Sequence, residues 1–308
     1  MPVVSVIIPV FNEAENIARL LDELMVHVPA DTEIIFVNDG STDNTLLHIS
    51  GVAAANPSIK CISLSRNFGH QNALMAGMNY CSGDYIIHMD GDLQHPPSLI
   101  PAMISKLNEG FDIVQTRRIT TAGISGGKKF FSAGFYRFIN WISDTRIEPN
   151  VADFRAFNKK VLDSIRLFRE RELFLRGIFS WVGFKTYTLE FNAAAREFGK
   201  TKYSTGRMIS LALKGATSFS FKPLRVALFI GCMISLAAFG FAIFAFFSWY
   251  NGHTVPGWTS MIIAIMFLGG TQLLAIGLLG EYIARLFTES KQRPLYLVER
   301  TINIPDRS

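Results

Sequence analysis

The sequence predicts an α/β domain built on a mostly parallel, Rossmann-like sheet, followed by a hairpin of two membrane-spanning helices. Two observations predict the domain: short β-branched apolar runs alternate with stretches of helical period, and each run ends in a polar cluster. A third predicts the hairpin. Val226–Phe247 and Gly257–Gly280 carry no charged residue, and each exceeds the roughly 20 residues that cross a bilayer as a helix.

Val3–Val10 is a continuous apolar run closed by Asn12-Glu13, the pattern of a buried parallel strand. Glu15–Val28 follows with Ile17, Leu20, Leu21, Leu24 and Val28 at helical spacing. Glu33–Val37 is a second buried strand, stopped by Asn38-Asp39-Gly40-Ser41, and a helix begins at Asp43. Ile59–Leu64 is the third strand; a helix over Gln71–Tyr80 leads into the fourth, Asp84–Met89. Parallel strands need right-handed crossovers, and such sheets take ligands outside the carboxyl ends of their strands. Asn12-Glu13, Asp39-Gly40-Ser41 and Asp90-Gly91-Asp92 therefore converge on one edge by topology alone.

Beyond about Gln115 the pattern changes. In Lys128–Ser143, Phe130, Phe131, Phe135, Phe138, Ile139 and Ile142 recur at helical spacing beside Lys128, Lys129 and Arg137. That suits a helix on the membrane surface and equally a core-facing helix. Tyr203–Phe221 is a second candidate interfacial helix leading into the first span.

The net charge of +5 and mean hydropathy of +0.25 are averages over unlike regions. Residues 196–225 carry seven basic side chains and one acid, residues 226–280 carry no charge, and residues 1–195 carry a net −2. The positive-inside rule puts both flanks of the hairpin in the cytoplasm and the linker Asn251–Pro256 outside. Trp249, Tyr250 and Trp258 stand at the inner ends of the two runs, where an aromatic belt belongs. The expected organisation is a cytoplasmic domain over 1–195 and a basic loop with an interfacial helix over 196–225. Two spans follow within 226–287 (about 226–250 and 258–284), then a cytoplasmic tail over 288–308. No basic n-region opens the chain, so no secretory signal is expected.

Several classes are disfavoured. The basic stretch abuts a span, which favours anionic lipid or a phosphate ligand over nucleic acid. Cys61, Cys81 and Cys232 are too few and too dispersed for a disulfide framework or zinc site. The chain has no Gly-x-Gly-x-x-Gly, no Walker loop and no legible Ser-His-Asp set, against a dinucleotide enzyme, nucleoside triphosphatase or serine hydrolase.

The strongest chemical signal is His88-Met89-Asp90-Gly91-Asp92-Leu93-Gln94-His95-Pro96-Pro97. Two carboxylates so close after an apolar strand are costly unless a cation neutralises them. Oxygen donors at that density suit Mg2+ or Mn2+ bridging a diphosphate, with Asp90, Asp92 and Gln94 as ligands and His95 as a further candidate. An isolated Asp-x-Asp also marks ordinary turns. Asp39-Gly40-Ser41 fits a ligand site or a plain strand–turn–helix cap. Arg117-Arg118, Lys128-Lys129, Arg155, Arg196 and Lys202 are candidate phosphate partners, although any one alone is an ordinary surface charge. Asp153 and Arg155, flanked by apolar residues, face a site or each other. His27, His48 and His70 read as ordinary.

Ser5-Val6-Ile7-Ile8-Pro9-Val10-Phe11-Asn12-Glu13, Val37-Asn38-Asp39-Gly40-Ser41-Thr42-Asp43 and Met89-Asp90-Gly91-Asp92-Leu93-Gln94-His95-Pro96 resemble the inverting family 2 glycosyltransferases of GT-A fold. Leu93-Gln94-His95-Pro96 narrows the resemblance to the polyprenyl-phosphate branch, which includes dolichol-phosphate mannose synthases. Arg196-Glu197-Phe198-Gly199-Lys200-Thr201-Lys202-Tyr203 resembles the branch's loop before its membrane part. The two C-terminal spans resemble bacterial bactoprenol glucosyltransferases.

The resemblance implies transfer of a hexose, glucose first, from a UDP-sugar to undecaprenyl phosphate with inversion. It places the reaction on the cytoplasmic face of the bacterial inner membrane, with both termini inside, and supplies a lipid-linked sugar for O-antigen modification. Pro9, Glu13 and Asp39 match nucleoside-contacting positions, with Asn12 and Ser41 beside them. Asp90, Asp92 and Gln94 match the positions that hold metal and diphosphate. Arg117, Lys128, Lys129 and Arg155 are candidates for the acceptor phosphate; Arg196 and Lys202 are candidates to close over the donor. Asp92, Asp153 and Arg117 are the catalytic candidates, Asp153 as base or organiser. Gly91 departs from dolichol-phosphate mannose synthases, which commonly carry Ala there.

Other readings are the same chemistry with mannose or an aminopentose, or a membrane-anchored subunit that binds nucleotide-sugar without turnover. A processive polysaccharide synthase would carry Gln-x-x-Arg-Trp and more spans. Glycines 231, 269, 270, 277 and 280 permit close helix contacts and favour a homo-oligomer.

Overall fold

The computed structural model describes residues 3–119, 151–171, 173–191, 222–252 and 257–305. The chain divides into a sheet unit (residues 1–136, 146–204 and 293–308) and a helical unit (137–145 and 205–292).

The sheet unit begins with β1 (Val4–Val10), α1 (Ile17–His27), β2 (Thr32–Asn38), α2 (Thr45–Ala55), β3 (Ile59–Leu64), α3 (His70–Tyr80) and β4 (Tyr85–His88). These bounds follow the sequence periodicities closely, because all seven residues of both β1 and β2 are buried. The two layers of helix leave no polar face to water, so the runs are continuous rather than alternating. A short turn of 3-10 helix (Pro97–Leu99) opens α4 (Ile100–Asn108), and β5 (Ile113–Arg118) follows. Then come β6 (Val151–Asn158), α5 (Lys159–Ile165), α6 (Leu175–Trp181) and β7 (Thr186–Phe191). Asn158 caps α5, its side chain accepting from Val161 N at 3.1 Å.

The sheet has eight strands in the order β7-β5-β6-β4-β1-β2-β3-β8, where β8 is Val298–Ile302. Strands β4, β1, β2 and β3 are mutually parallel; β6 is antiparallel to β4 and β5, and β7 is parallel to β5. Strand order runs outward from β1 to β3 and then reverses to β4 on the other side of β1. A crevice forms at such a switch point, outside the carboxyl ends of the two strands. Pro9 sits in β1 without loss because pairing to β4 ends at Ile7↔His88, two residues earlier.

One face of β1 (Val4, Val6, Ile8, Val10) packs with Ile34 and Phe36 of β2 and with Ile17, Leu20 and Leu24 of α1. Each such fully buried side chain contributes about 1.5–3 kcal/mol by leaving water. At the opposite edge of the sheet from the crevice, Glu33 is buried and tied to Lys60, Ser5 and Ser82. Burial pushes its carboxyl up, but the Lys60 and Ser5 hydrogen bonds outweigh that and hold it below the usual range.

Within the expected 288–308 tail, residues 298–302 form the last strand of the sheet. β8 pairs antiparallel to β3, from Val298 opposite Leu64 to Ile302 opposite Cys61. Ser65 N donates to Leu297 O at 3.0 Å, and Asn79 Nδ2 to Tyr296 Oη at 2.9 Å. Asn303 Nδ2 donates to the carbonyls of Ala53 (2.6 Å) and Ile59 (2.9 Å). The chain thus enters β8 at the crevice edge of the sheet. The sequence concealed this strand because Val-Glu-Arg-Thr-Ile is short and carries two charges in five residues, as suits a protected sheet edge.

The helical unit contains α7 (Lys222–Tyr250) and α8 (Trp258–Ser290). Within them Leu224–Ser248 and Ala264–Ser290 are apolar enough to cross a membrane, and none of either apolar window is buried. Phe229, Phe239, Phe241, Leu273 and Leu274 are 67–78% exposed. Two buried core helices would show the reverse; side chains this apolar and this bare suit a lipid solvent.

Candidate active site

Three loops build the crevice. The β1–α1 loop is held to the β2–α2 loop by side-chain hydrogen bonds. Asn12 N donates to Ser41 Oγ (3.0 Å), Thr42 N to Asn12 Oδ1 (2.8 Å) and Glu13 N to Thr45 Oγ1 (2.9 Å). Asn12 pays for this clasp with a left-handed backbone, φ +56°. Glu13 also accepts from Asn16 Nδ2 at 2.5 Å. Asp39 accepts from Phe68 N (2.7 Å) and Gly69 N (2.9 Å), and its own N–H donates to Val10 O. Burial raises its carboxyl above the ordinary range despite those two hydrogen bonds. Both expected roles of this turn thus meet a structural one: Asp39 and Ser41 fix the loops. Gly40, at φ +67°, lies so close to the next loop that a Cβ would stand 2.4 Å from Arg66 C.

Pro9, at the end of β1, is buried, and its carbonyl lies under Gly91: a Cβ there would be 3.6 Å from Pro9 O and 2.8 Å from Val10 Cγ1. The branched, stiff Val10 leaves no room for a Cβ at this position, so the chain has Gly there.

The Asp-x-Asp segment leaves β4 directly over this contact. Asp92 Oδ1 accepts from Gln94 N at 3.2 Å, across a left-handed Leu93 (φ +60°). Asp90 is one-third exposed and flanked by two imidazoles, His70 Nε2 at 3.5 Å from Oδ1 and His95 Nδ1 at 3.8 Å from Oδ2. Asp90 N donates to His95 Nδ1 (3.1 Å), so that nitrogen carries a lone pair and any ring proton is on Nε2. His95 is buried and stacked on Phe154 at 5.3 Å, and burial lowers its proton affinity. Burial, reinforced by Asp153 and Asp92 and opposed by His95, pushes the Asp90 carboxyl up to about 7. Gln94 Oε1 accepts from Arg118 Nη2 at 3.1 Å.

Across β4, strand β6 presents Asp153 and Arg155 on one face. Arg176 of α6 grips Asp153 with two hydrogen bonds, Nε to Oδ1 at 2.8 Å and Nη2 to Oδ2 at 2.7 Å. Burial pushes the Asp153 carboxyl up, but Arg176 outweighs it and holds the group well below the usual range. A carboxylate so held is a weak base, so the geometry favours the organiser role over the base role. Gln71 Oε1, accepting from Leu175 N at 2.8 Å, ties α6 to α3.

The structure brings Pro9, Asn12, Glu13, Asp39, Ser41, Asp90, Asp92, Gln94 and Asp153 to one edge. It places two candidates otherwise. Arg155 is 2% exposed, against the Phe179 ring at 4.8 Å, so it does not present itself to an acceptor phosphate. Arg117 pairs with Glu190 of β7 at 3.8 Å, while its neighbour Arg118 turns to Gln94. Lys128, Lys129, Arg196 and Lys202 lie outside the described residues, as do both candidate interfacial helices, 128–143 and 203–221. Sequence reasoning missed His70, taken for ordinary, although it opens a helix just after β3 and so shares the crevice edge. It also missed Arg176, whose segment carries no strand-end signal.

Among the described residues no three His, Cys, Asp or Glu side chains converge to hold a metal ion. Two neighbouring carboxylates nevertheless fit a divalent cation that arrives with phosphate oxygens, since Mg2+ commonly takes one or two carboxylates and fills its shell from substrate and water.

Residues 5–166 match the model of the glycosyl transferase family 2, and residues 222–286 match the GtrB C-terminal hairpin. An uncharacterized glycosyltransferase of Synechocystis is 41% identical over 299 residues, covering 96% of this chain and 94% of that one. A prophage bactoprenol glucosyl transferase homolog of Escherichia coli is 40% identical over 304 residues (96% and 98%). The bactoprenol glucosyl transferase of Shigella phage SfV is 40% identical over 300 residues (96% and 98%). With its crevice, its Asp-x-Asp and its hairpin all inside those matched spans, the chain belongs to glycosyl transferase family 2, with the GT-A fold of that family.

Proposed function

We propose that the protein transfers glucose from UDP-glucose to undecaprenyl (bactoprenol) phosphate, with inversion, giving a lipid-linked glucose for a cell-surface glycan such as O-antigen. The observation that carries this reading is the near full-length identity of about 40% to bactoprenol glucosyl transferases, hairpin included. The crevice residues supply the chemistry. Pro9, Asn12, Glu13, Asp39 and Ser41 would form the nucleoside wall, and Asp90, Asp92 and Gln94 would hold Mg2+ or Mn2+ and the diphosphate. When bound, the cation neutralises charge on the departing diphosphate.

The acceptor phosphate is already anionic near neutral pH, so the chain need not supply a strong base. Its task is to orient two anions in line and screen them from each other. Asp153, fixed by Arg176, serves as an organiser. Lys128 and Lys129 are proposed for the acceptor phosphate, with Arg117 able to join them only by leaving Glu190, and Arg196 and Lys202 for the donor.

The sheet unit and the C-terminal strand are proposed to be cytoplasmic, on the bacterial inner membrane, with the two spans between them. Pairing of β8 with β3 supports that topology, because both ends of the hairpin must then lie on one side. The test is a donor screen: purified protein, undecaprenyl phosphate, Mg2+ and UDP-glucose, UDP-galactose, GDP-mannose or a UDP-aminopentose, with product mass read by spectrometry. Hexose addition from UDP-glucose is expected; preference for another donor would replace glucose, and donor binding without any lipid product would favour the non-catalytic reading.

A further inference from the structure

Arg155 is the least satisfied charge in the described structure. It is 2% exposed, and its Nε and Nη1 are buried with no hydrogen-bond partner among the described residues. Around it stand the Phe179 ring at 4.8 Å and, in strand register, His88 and Gln115. His88 is itself buried, with an unpartnered Nδ1, and burial together with Arg155 keeps the imidazole neutral. Among the described residues, the one acid that acts on Arg155 is Asp153, two residues along the same strand face. Asp153 already has a partner for each oxygen in Arg176, whose side chain is 35% exposed at the crevice and whose charge acts on Asp90. One carboxylate is therefore served by two guanidiniums, one exposed and bonded, the other buried and unbonded. A buried, unpaired arginine is a poor device for stability, since an apolar isostere avoids its desolvation cost.

We propose that Arg176 is a phosphate-binding side chain parked on Asp153, and that Arg155 takes over Asp153 when Arg176 turns to an arriving phosphate. The proposal rests on the crevice being a site for phosphate-bearing substrates. A phosphate dianion offers a guanidinium the same two-point geometry as a carboxylate, with more charge. Without a reserve cation, release of Arg176 would strand a largely covered carboxylate; with Arg155 beneath it, the exchange leaves every charge paired. Arg155 is thus a positioning residue, acting through Asp153 and Arg176.

The test is calorimetry on the full-length protein in detergent with Mg2+, titrating UDP and, separately, dodecyl phosphate. Arg176→Gln is expected to weaken one of the two ligands at least about tenfold, and which one separates a donor contact from an acceptor contact. Arg155→Met is expected to keep or raise Tm yet weaken the same ligand about tenfold, and adding Asp153→Asn is expected to recover most of that loss. Unchanged affinity for both ligands in Arg176→Gln overturns the proposal. So does a lowered Tm or lost fold in Arg155→Met, or failure of Asp153→Asn to rescue it. Glucose transfer is assayed apart. A chain that shows these shifts but transfers no sugar refutes the enzymatic reading and leaves the exchange standing; transfer that is indifferent to Arg176→Gln does the opposite.

Discussion

Asp90 carries the clearest pH signature among the crevice residues. Burial raises its carboxyl to about 7, so in the metal-free protein it keeps its proton through the mildly acidic range. Its folded-state affinity for the proton exceeds the unfolded one. The contribution to stability is therefore present below the ordinary carboxylate range and is lost as pH rises toward 7. A divalent cation must displace that proton. Mg2+ affinity in the presence of UDP is expected to fall as pH drops below about 7 and to level off above it, with proton release measured by calorimetry in two buffers. Asp90→Asn should abolish the pH step; a step that survives that substitution would assign the proton elsewhere. The Asp-x-Asp stood out in the sequence because two carboxylates so close after an apolar strand repel each other unless a cation or a turn's hydrogen bonds hold them. The pairing of Asp153 with Arg176 was not, since 23 residues separate them and only the packing of α6 on β6 brings them together.

At the scale of elements, the four parallel strands and three crossover helices were legible because burial on both faces writes itself as uninterrupted apolar runs. Strands β5 to β8 were not. β6 runs antiparallel and mixes Asp153 and Arg155 with Phe154 and Phe157, and β8 is short and charged. The loops that join the legible elements do more than connect them. Gly40 lets the β2–α2 turn lie against Arg66 and Asn67, which in turn lets Phe68 and Gly69 reach Asp39. Gly40→Ala forces a side chain into a left-handed position and into backbone atoms, so a loss of about 2–3 kcal/mol is expected by urea titration. UDP affinity should fall with it. A variant as stable as the parent would mean that the two loops are not packed as described.

For the whole molecule, the last strand matters most. Removing residues 293–308 uncovers the edge of β3 and frees the carbonyls that Asn303 holds. The truncated chain is expected to aggregate and to lose several degrees of Tm, measured by size-exclusion chromatography and thermal scans, whereas a mere tail would leave both unchanged.

On the proposed reading, Asp92 at the crevice of β1 and β4 would hold a cation and the diphosphate of a nucleotide-sugar, whose sugar passes to a lipid phosphate as the nucleoside diphosphate leaves. The most direct measurement follows radiolabelled glucose from UDP-glucose into the organic phase, with proteoliposomes containing undecaprenyl phosphate and Mg2+, for the parent chain and Asp92→Asn. Mg2+-dependent lipid-linked label is expected from the parent, with a fall of at least about 100-fold in the variant, the scale of losing one charge-stabilising group. Label that never enters the lipid, or that enters it equally fast in Asp92→Asn, would contradict it.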